Sequence, residues 1–203
     1  MQVRLETALT SEEYISQRAW ETAKLEACPA HPGGARCGFA GHGTYERVEP
    51  AGAKVARYYC PTSHTTFSLL PDCLASRLSS TLKEVEDVVA AAEASPSQEQ
   101  AAAKLRPDIV LPSAVRWLRR RLVPMRVALV ALITWHGLEV APRVAEVRAS
   151  VATRGLGGLR DLGGAQLHAL PPPLGLGPRQ RPRSVRRKRT QQGTGTDPPA
   201  QSR

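Results

Sequence analysis

The feature that most constrains this chain is a pair of short segments that each begin with Cys-Pro and end with His. The first is Cys28-Pro-Ala-His31, and the second, after 28 intervening residues, is Cys60-Pro-Thr-Ser-His64. Cysteine sulfur and histidine nitrogen are typical zinc ligands, and a structural zinc site is tetrahedral with four of them. We call the two segments knuckles. A hairpin that brings the two knuckles together supplies such a set of four ligands. We therefore expect a zinc ribbon within residues 26–73.

The sequence leaves the ligand set of this ribbon open. The candidate ligands are Cys28, His31, Cys37, Cys60 and His64. Cys37 competes with His31 for the third place, His64 is the candidate for the fourth, and His42 is a weaker competitor. The alternative interpretation is a remnant ribbon that has lost part of its ligands and folds poorly.

The segment between the knuckles has the pattern of a hairpin. Residues 45–48 and 54–59 are rich in β-formers, and Glu49-Pro-Ala-Gly52 is typical of a turn. Cys73, the last of the four cysteines, follows Leu-Pro-Asp at an expected helix start. We interpret it as a small buried hydrophobic residue rather than a ligand.

Residues 74–138 change to a helical pattern. Thr81-Leu-Lys-Glu84 is a capping box, and an apolar stripe at three- and four-residue spacing follows it. Ser95-Pro96 predicts the start of a second, short helix, with Ser95 as its N-cap, that ends near Leu105. A third helix is predicted from Leu111.

This third helix is basic and leads into the longest apolar run of the chain. Pro124 is expected to kink or split it, and Gly137 to end it. A short helix, a turn and an arginine-rich helix resemble a helix-turn-helix, whose second helix enters the major groove of DNA. The arginines expected to contact DNA are Arg116, Arg119, Arg120, Arg121 and Arg126. The alternative is a solvated basic face on an ordinary helix.

Most of the net charge of +10 lies near the C-terminal end. Residues 143–203 carry 12 basic and 3 acidic side chains. Because residues 139–203 are rich in Gly, Pro and Arg, we expect a disordered basic tail that adds sequence-independent DNA affinity, notably through Arg186-Arg-Lys-Arg189, or that is a non-functional extension. The excess of 23 Arg over 5 Lys favours a phosphate-bearing partner, but it is equally typical of a GC-rich genome.

Several classes of protein are disfavoured. The chain has no Gly-rich phosphate loop and no Gly-x-Ser-x-Gly motif, and no Asp before residue 162 ends an apolar strand, so we do not expect an enzyme. The apolar run at residues 127–135 is less than half the length needed to span a bilayer. With no apolar segment typical of a secretory signal at the N-terminus, a cytoplasmic bacterial protein with reduced thiols is expected.

The order of these motifs resembles a known family. Cys28-Pro, His42-Gly-Thr-Tyr45-x-Arg47, Arg57-Tyr-Tyr-Cys60-Pro and Thr66-Phe-Ser-Leu-Leu-Pro71 are similar to the N-terminal zinc-ribbon and helix-turn-helix region of bacterial insertion-sequence transposases and related small proteins. The resemblance covers about residues 26–135. It implies that Tyr45, Arg47 and Arg57 lie on ribbon strands and contact the DNA backbone, the alternative being that they pack the hairpin.

The chain also departs from that family. The usual second cysteine of each knuckle is replaced by His31, or displaced to Cys37, and by His64, and the acidic catalytic domain of a transposase is missing. The sequence thus predicts a small α+β protein with segments at 1–25 (polar lead-in), 26–73 (zinc ribbon), 74–138 (helix-turn-helix-like) and 139–203 (tail). Its predicted function is non-catalytic, zinc-dependent DNA binding. The rivals are a zinc-stabilised protein-interaction module, in which residues 127–135 dock a partner or a second copy, and a degraded mobile-element remnant.

Overall fold

The computed structural model describes residues 1–32, 37–152 and 155–177, and it is a small α+β protein, the predicted fold class. In chain order its elements are β1 (Gln2–Leu5), α1 (Ser11–Ser16), β2 (Ala40–Glu46), β3 (Lys54–Cys60), β4 (Thr65–Pro71), α2 (Leu82–Glu93), α3 (Gln98–Leu105), α4 (Leu111–His136), α5 (Val144–Ser150), α6 (Gly155–Gly163) and a 3-10 helix (Gly164–His168).

The strands form one four-stranded sheet in the order β1-β4-β3-β2. β2, β3 and β4 are antiparallel neighbours, and the turn predicted at residues 49–52 joins β2 to β3. β1 pairs parallel to β4, with Val3 opposite Leu69. The sequence did not predict β1, because four residues are too short for a periodic pattern and its partner lies more than 60 residues further along the chain.

The helix start predicted for α2 agrees with the structure, whereas α3 begins two residues later than predicted. At α2 the Thr81 hydroxyl accepts from the Glu84 amide (3.1 Å), and the Glu84 carboxylate accepts from the Thr81 amide (2.7 Å). The N-cap of α3 is Ser97 rather than Ser95. Ser95 instead donates its hydroxyl to the carbonyl of Ala91 at the end of α2 (2.7 Å).

α4 is a single helix of 26 residues, with Pro124 inside it. The proline does not split the helix. Leu122, Met125 and Leu129 around it are buried, and their packing offsets the missing backbone hydrogen bond. Gly137 ends α4 with a φ of 59°, as its position predicts. In the segments that the structure describes, no helix is both long and apolar enough to cross a membrane.

One hydrophobic core joins the sheet to the helices. Val55 of β3 and Leu70 of β4 pack with the apolar faces of α2 and α4, which include Val85, Val89 and Leu118. A second, smaller cluster, on the other side of the sheet, contains three cysteines and Phe67. The helices thus cover part of one face of the sheet, and the cysteine cluster lies on the other face.

The segment after α4 forms α5, α6 and the 3-10 helix, so the predicted disordered tail does not begin at residue 139. Its buried leucines are Leu159, Leu167, Leu170, Leu174 and Leu176. Arg160 is fully buried and donates to the carbonyls of Pro71, Asp72, Leu74, Pro173 and Leu174 at 2.9 to 3.3 Å. Residues 178–203, with the Arg186–Arg189 cluster, lie outside the described residues.

Candidate metal centre

Three separate segments bring four ligand-type side chains together. Cys28 and His31 lie in the loop that follows α1, Cys37 lies three residues before the start of β2, and Cys60 is the last residue of β3. The amide of His31 donates to the carbonyl of Cys28 (3.0 Å), so the first knuckle is a tight turn. Residues 33–36, which connect His31 to Cys37, lie outside the described residues.

The spacing of the four ligand atoms fits one metal ion. They all lie within 4.8 Å of one another. Nδ1 of His31 is 3.4 Å from the sulfur of Cys28 and 3.5 Å from the sulfur of Cys60. For Zn–S and Zn–N bonds of about 2.3 and 2.05 Å, tetrahedral geometry puts sulfur about 3.6 Å from nitrogen. The observed separations are therefore close to those of a bound zinc.

The cluster is shielded from water. Cys28, Cys37 and Cys60 are buried, and all three are free thiols rather than disulfide partners. An aromatic group lines the sheet side of the cluster. Phe39 stacks on Tyr58 at a centroid distance of 5.3 Å and meets Phe67 edge-on at 6.0 Å. A dry apolar wall favours a structural metal site, because it limits access to solvent and to competing ligands.

The two knuckles touch at Gly38 and Pro61. Gly38 has a φ of +66°, and a Cβ at this position would lie 3.0 Å from Cγ of the Pro61 ring. The hydroxyl of Thr62 donates to the carbonyl of Cys37 (3.1 Å). These contacts hold the Cys37 segment against the Cys60 turn, and sequence reasoning missed them because they join residues about 25 positions apart.

The thiols of the cluster have perturbed pKa values. Burial raises the pKa of the Cys28 thiol. Burial acts in the same direction on Cys60, but donor groups of Ser63 and the thiols of Cys28 and Cys37 together lower the pKa of Cys60 to about 6. A thiolate is the form that ligates a metal, so Cys60 is prepared for ligation at neutral pH.

The fifth candidate ligand, His64, does not join the cluster. Its side chain is exposed, and Nδ1 lies 3.3 Å from the hydroxyl of Tyr59. The structure therefore takes both Cys37 and His31 into the cluster, which the sequence had treated as competitors. His42, the weaker competitor, is exposed on β2. Cys73 packs against the main core as predicted, and burial raises its pKa to about 11.

The arginines predicted to contact DNA fall into two groups. Arg116, Arg119, Arg120 and Arg126 are exposed on α4. Arg121 is not available in the same way, because its guanidinium lies 4.1 Å from the Trp117 ring centroid and donates to Ser80 Oγ (3.3 Å). Its role in the structure is to pack α4 against the loop before α2.

The two strand arginines are also partly or wholly withdrawn from the surface. Arg47 is only 9% exposed, and its guanidinium donates to the carbonyls of Ala75, Leu78 and Ser80. It therefore fixes the loop between β4 and α2, which agrees with the alternative role of hairpin packing. Arg57 is half-buried on β3.

Comparison with known proteins adds no family to this description. No protein-family model matches the chain, and no curated protein and no solved structure matches it. The resemblance to transposase N-terminal regions stays a prediction. The metal-ligand cluster is thus the most specific pointer to function.

Proposed function

We propose that this chain is a zinc-stabilised DNA-binding protein in which the metal holds the N-terminal segment on the sheet and α4 contacts the DNA. Zinc is the metal assigned because three thiolates and one imidazole in a tetrahedral arrangement form a standard structural zinc set. The four protein ligands fill all positions of the tetrahedron. Such a closed site stabilises a fold, whereas catalytic zinc keeps one position for water.

The role of the metal follows from where its ligands lie. Cys28, His31 and Cys37 lie in the loop from residue 17 to residue 39, which contains no helix or strand among its described residues, whereas Cys60 ends β3 of the sheet. A metal ion bound by these side chains holds the loop on the sheet without the need for a large hydrophobic core around the loop. Its binding free energy then contributes directly to folding.

The observation that carries the DNA-binding proposal is the exposed basic ridge of α4. Arg116, Arg119 and Arg120 lie at i, i+3 and i+4, on one side of the helix. Arg116 donates to Ser113 (3.1 Å) and Arg119 to Gln98 (3.0 Å), and both acceptors are neutral. α4 contains no Asp or Glu. The positive charge of the ridge is therefore uncompensated within the helix, which suits the DNA backbone.

The test is fluorescence anisotropy of the zinc-loaded chain with a duplex DNA at several salt concentrations. Arg119→Gln with Arg120→Gln removes two phosphate contacts, so the slope of log affinity against log salt should fall by about 2. The matched control is Arg143→Gln, an exposed arginine next to α5 that pairs with Glu146 (3.5 Å). Equal slopes for wild type and the double variant would mean that Arg119 and Arg120 do not contact phosphates, which contradicts the proposal.

A second candidate function rests on the apolar continuation of the same ridge. Val123, Val127 and Val130 follow the arginines at four- and three-residue spacing, and each is about half exposed. Trp135 is 39% exposed at the end of α4. Such a stripe fits docking of a second copy of this chain. Sedimentation of wild type and of Val127→Lys measures self-association. Self-association that is insensitive to salt and lost in Val127→Lys indicates apolar docking, whereas DNA binding weakens as salt rises.

A further inference from the structure

The face of the sheet that carries the helical core continues beyond it as an open, polar surface. Alternate residues of a strand share a face, so Arg57 and Tyr59 lie on the same side of β3 as the buried Val55. The register places Ala40 and Thr66 beside Tyr59, and Ser68 beside Arg57. We call this surface the distal sheet face. Its residues are Ala40, His42, Arg57, Tyr59, Thr66 and Ser68.

Two flat rings lie side by side on the distal sheet face. The ring centroids of His42 and Tyr59 are 5.5 Å apart, with an angle of 39° between the planes. The Tyr59 hydroxyl forms a hydrogen bond of 3.3 Å with Nδ1 of His64, which limits rotation of the tyrosine. His42 is exposed on the edge strand β2, and Tyr59 is half-buried. The surface thus presents aromatic rings in a fixed position.

The same surface is free of negative charge. Residues 37–45 and 54–71, which include β3, β4 and most of β2, contain no Asp or Glu. Nε of Arg57 is buried and has no hydrogen-bond partner in the part of the chain that the structure describes. Arg57 as a whole is partly exposed, and it carries the positive charge of the distal sheet face. The charge of the surface suits an anion.

A partner that suits this surface offers flat apolar faces next to negative oxygens. Nucleic-acid bases and phosphates have that combination, and bases stack on aromatic side chains whatever their sequence. In a duplex the base faces are stacked on one another, whereas in a single strand they are accessible. We propose that the distal sheet face binds single-stranded nucleic acid, with bases on Tyr59 and His42 and a phosphate near Arg57.

This inference rests on the proposed nucleic-acid function but uses a different surface. The duplex proposal depends on Arg116, Arg119 and Arg120 of α4, and none of them lies on the distal sheet face. A chain with both surfaces would engage a junction of duplex and single strand. Because the two proposals depend on different residues, either one can fail while the other holds.

The experiment measures anisotropy of a fluorescein-labelled oligothymidylate of about 12 nucleotides with the zinc-loaded full chain. Tyr59→Ala and His42→Ala should each weaken binding by about 5- to 150-fold, the usual loss for one stacked base. Tyr59→Phe keeps the ring and should retain the affinity. His168→Ala is the matched control, because it removes an exposed histidine ring in the 3-10 helix, which is not part of the distal sheet face, and should change nothing.

Zinc content is measured for every variant to establish that the fold is intact. If Tyr59→Ala lowers the zinc content, His42→Ala decides, since His42 is exposed on an edge strand. No binding of the oligothymidylate by wild type, or unchanged binding by His42→Ala and zinc-loaded Tyr59→Ala, overturns the inference. Arg119→Gln with Arg120→Gln should weaken duplex binding and leave oligothymidylate binding unchanged. Duplex binding without oligothymidylate binding overturns this inference alone. Oligothymidylate binding without duplex binding overturns the α4 proposal alone.

Discussion

Nδ1 of His31 lies 3.4 Å from the sulfur of Cys28, three residues earlier in the chain. The same nitrogen is 3.5 Å from the sulfur of Cys60, which comes from a strand of the sheet. One imidazole nitrogen thus faces both knuckles at the separation expected of ligands on a common zinc ion. Nε2, the other ring nitrogen, is the one left for a proton or an outer hydrogen bond.

The first prediction concerns the ligand set. Wild-type protein purified without added metal should contain about one zinc per chain. Cys28→Ser, Cys37→Ser and Cys60→Ser should lose it, because a serine hydroxyl is a much poorer ligand than a thiolate. His64→Ala is the control and should retain zinc. Metal analysis by mass spectrometry checks this. Loss of zinc in His64→Ala together with retention in Cys37→Ser would reverse our assignment.

The second prediction is that His31 binds through Nδ1. A long-range ¹H–¹⁵N NMR spectrum of the zinc-loaded chain should show His31 with a proton on Nε2 and a metal-shifted Nδ1 signal, since the geometry leaves only Nδ1 facing the sulfurs. His42, which lies outside the cluster, serves as the reference in the same spectrum. A His31 pattern equal to that of His42 would contradict metal ligation by this side chain.

The third prediction compares two glycines with positive φ. Gly38 (+66°) lies against Pro61, whereas a Cβ added at Gly43 (+72°) would meet no atom within 4 Å. Alanine at either position has a backbone cost of about 1 kcal/mol. Only Gly38→Ala should also weaken zinc binding, because its Cβ pushes the two knuckles apart. Competition with a colorimetric chelator measures this, and equal zinc affinity in both variants would contradict the proposed contact.

The fourth prediction concerns Arg160. Its guanidinium satisfies five backbone carbonyls and lies 3.6 Å from the carboxylate of Asp72. Arg160→Met leaves those acceptors and the charge of Asp72 partly unpaired, so the free energy of unfolding should fall by about 3–5 kcal/mol. Urea unfolding checks this. Arg143→Met removes an exposed ion pair and should cost less than about 1 kcal/mol.

The fifth prediction concerns the reactivity of Cys73. Burial raises the pKa of its thiol from 9.0 to about 11, so less thiolate forms at a given pH. Near pH 8, a shift of two units lowers the thiolate fraction about 100-fold, and alkylation by iodoacetamide should slow by a similar factor relative to the urea-unfolded chain. The rate should rise with pH up to about 11. Peptide mass spectrometry measures it, and a folded-state rate equal to the unfolded one would refute the shift.

The local signals in the sequence were sound because they depend on residues a few positions apart. Three signals of this kind agree with the structure: the Thr81–Glu84 capping box, the turn at residues 49–52 and the end of α4 at Gly137. In each of them the interacting residues are only a few positions apart. The shift of the N-cap from Ser95 to Ser97 is of the same local kind. Both are serines, and only the path of the chain after α2 decides which hydroxyl meets a free amide.

The errors concern interactions between distant segments. For Arg47 the sequence left DNA contact and hairpin packing open, and it placed the start of the disordered tail at residue 139, because each region looks polar or poor in core residues in its own neighbourhood. In the structure, Arg47 and Arg160 both supply donors to carbonyls of the segment between β4 and α2 and of the end of β4. A sequence does not show which carbonyls need a donor.

By itself the sequence determined the chemistry of this protein: two Cys-Pro knuckles, ligands of zinc type, a hairpin between them and a basic helix after them. Only the tertiary structure decided which donors meet. The close approach of Gly38 to Pro61 brings Cys37 beside Cys60, whereas the left-handed backbone at His64 (φ of 48°) places its ring beside Tyr59 and outside the cluster. Ligand choice depends on where loop ends converge in space, and residue spacing along the chain does not specify that.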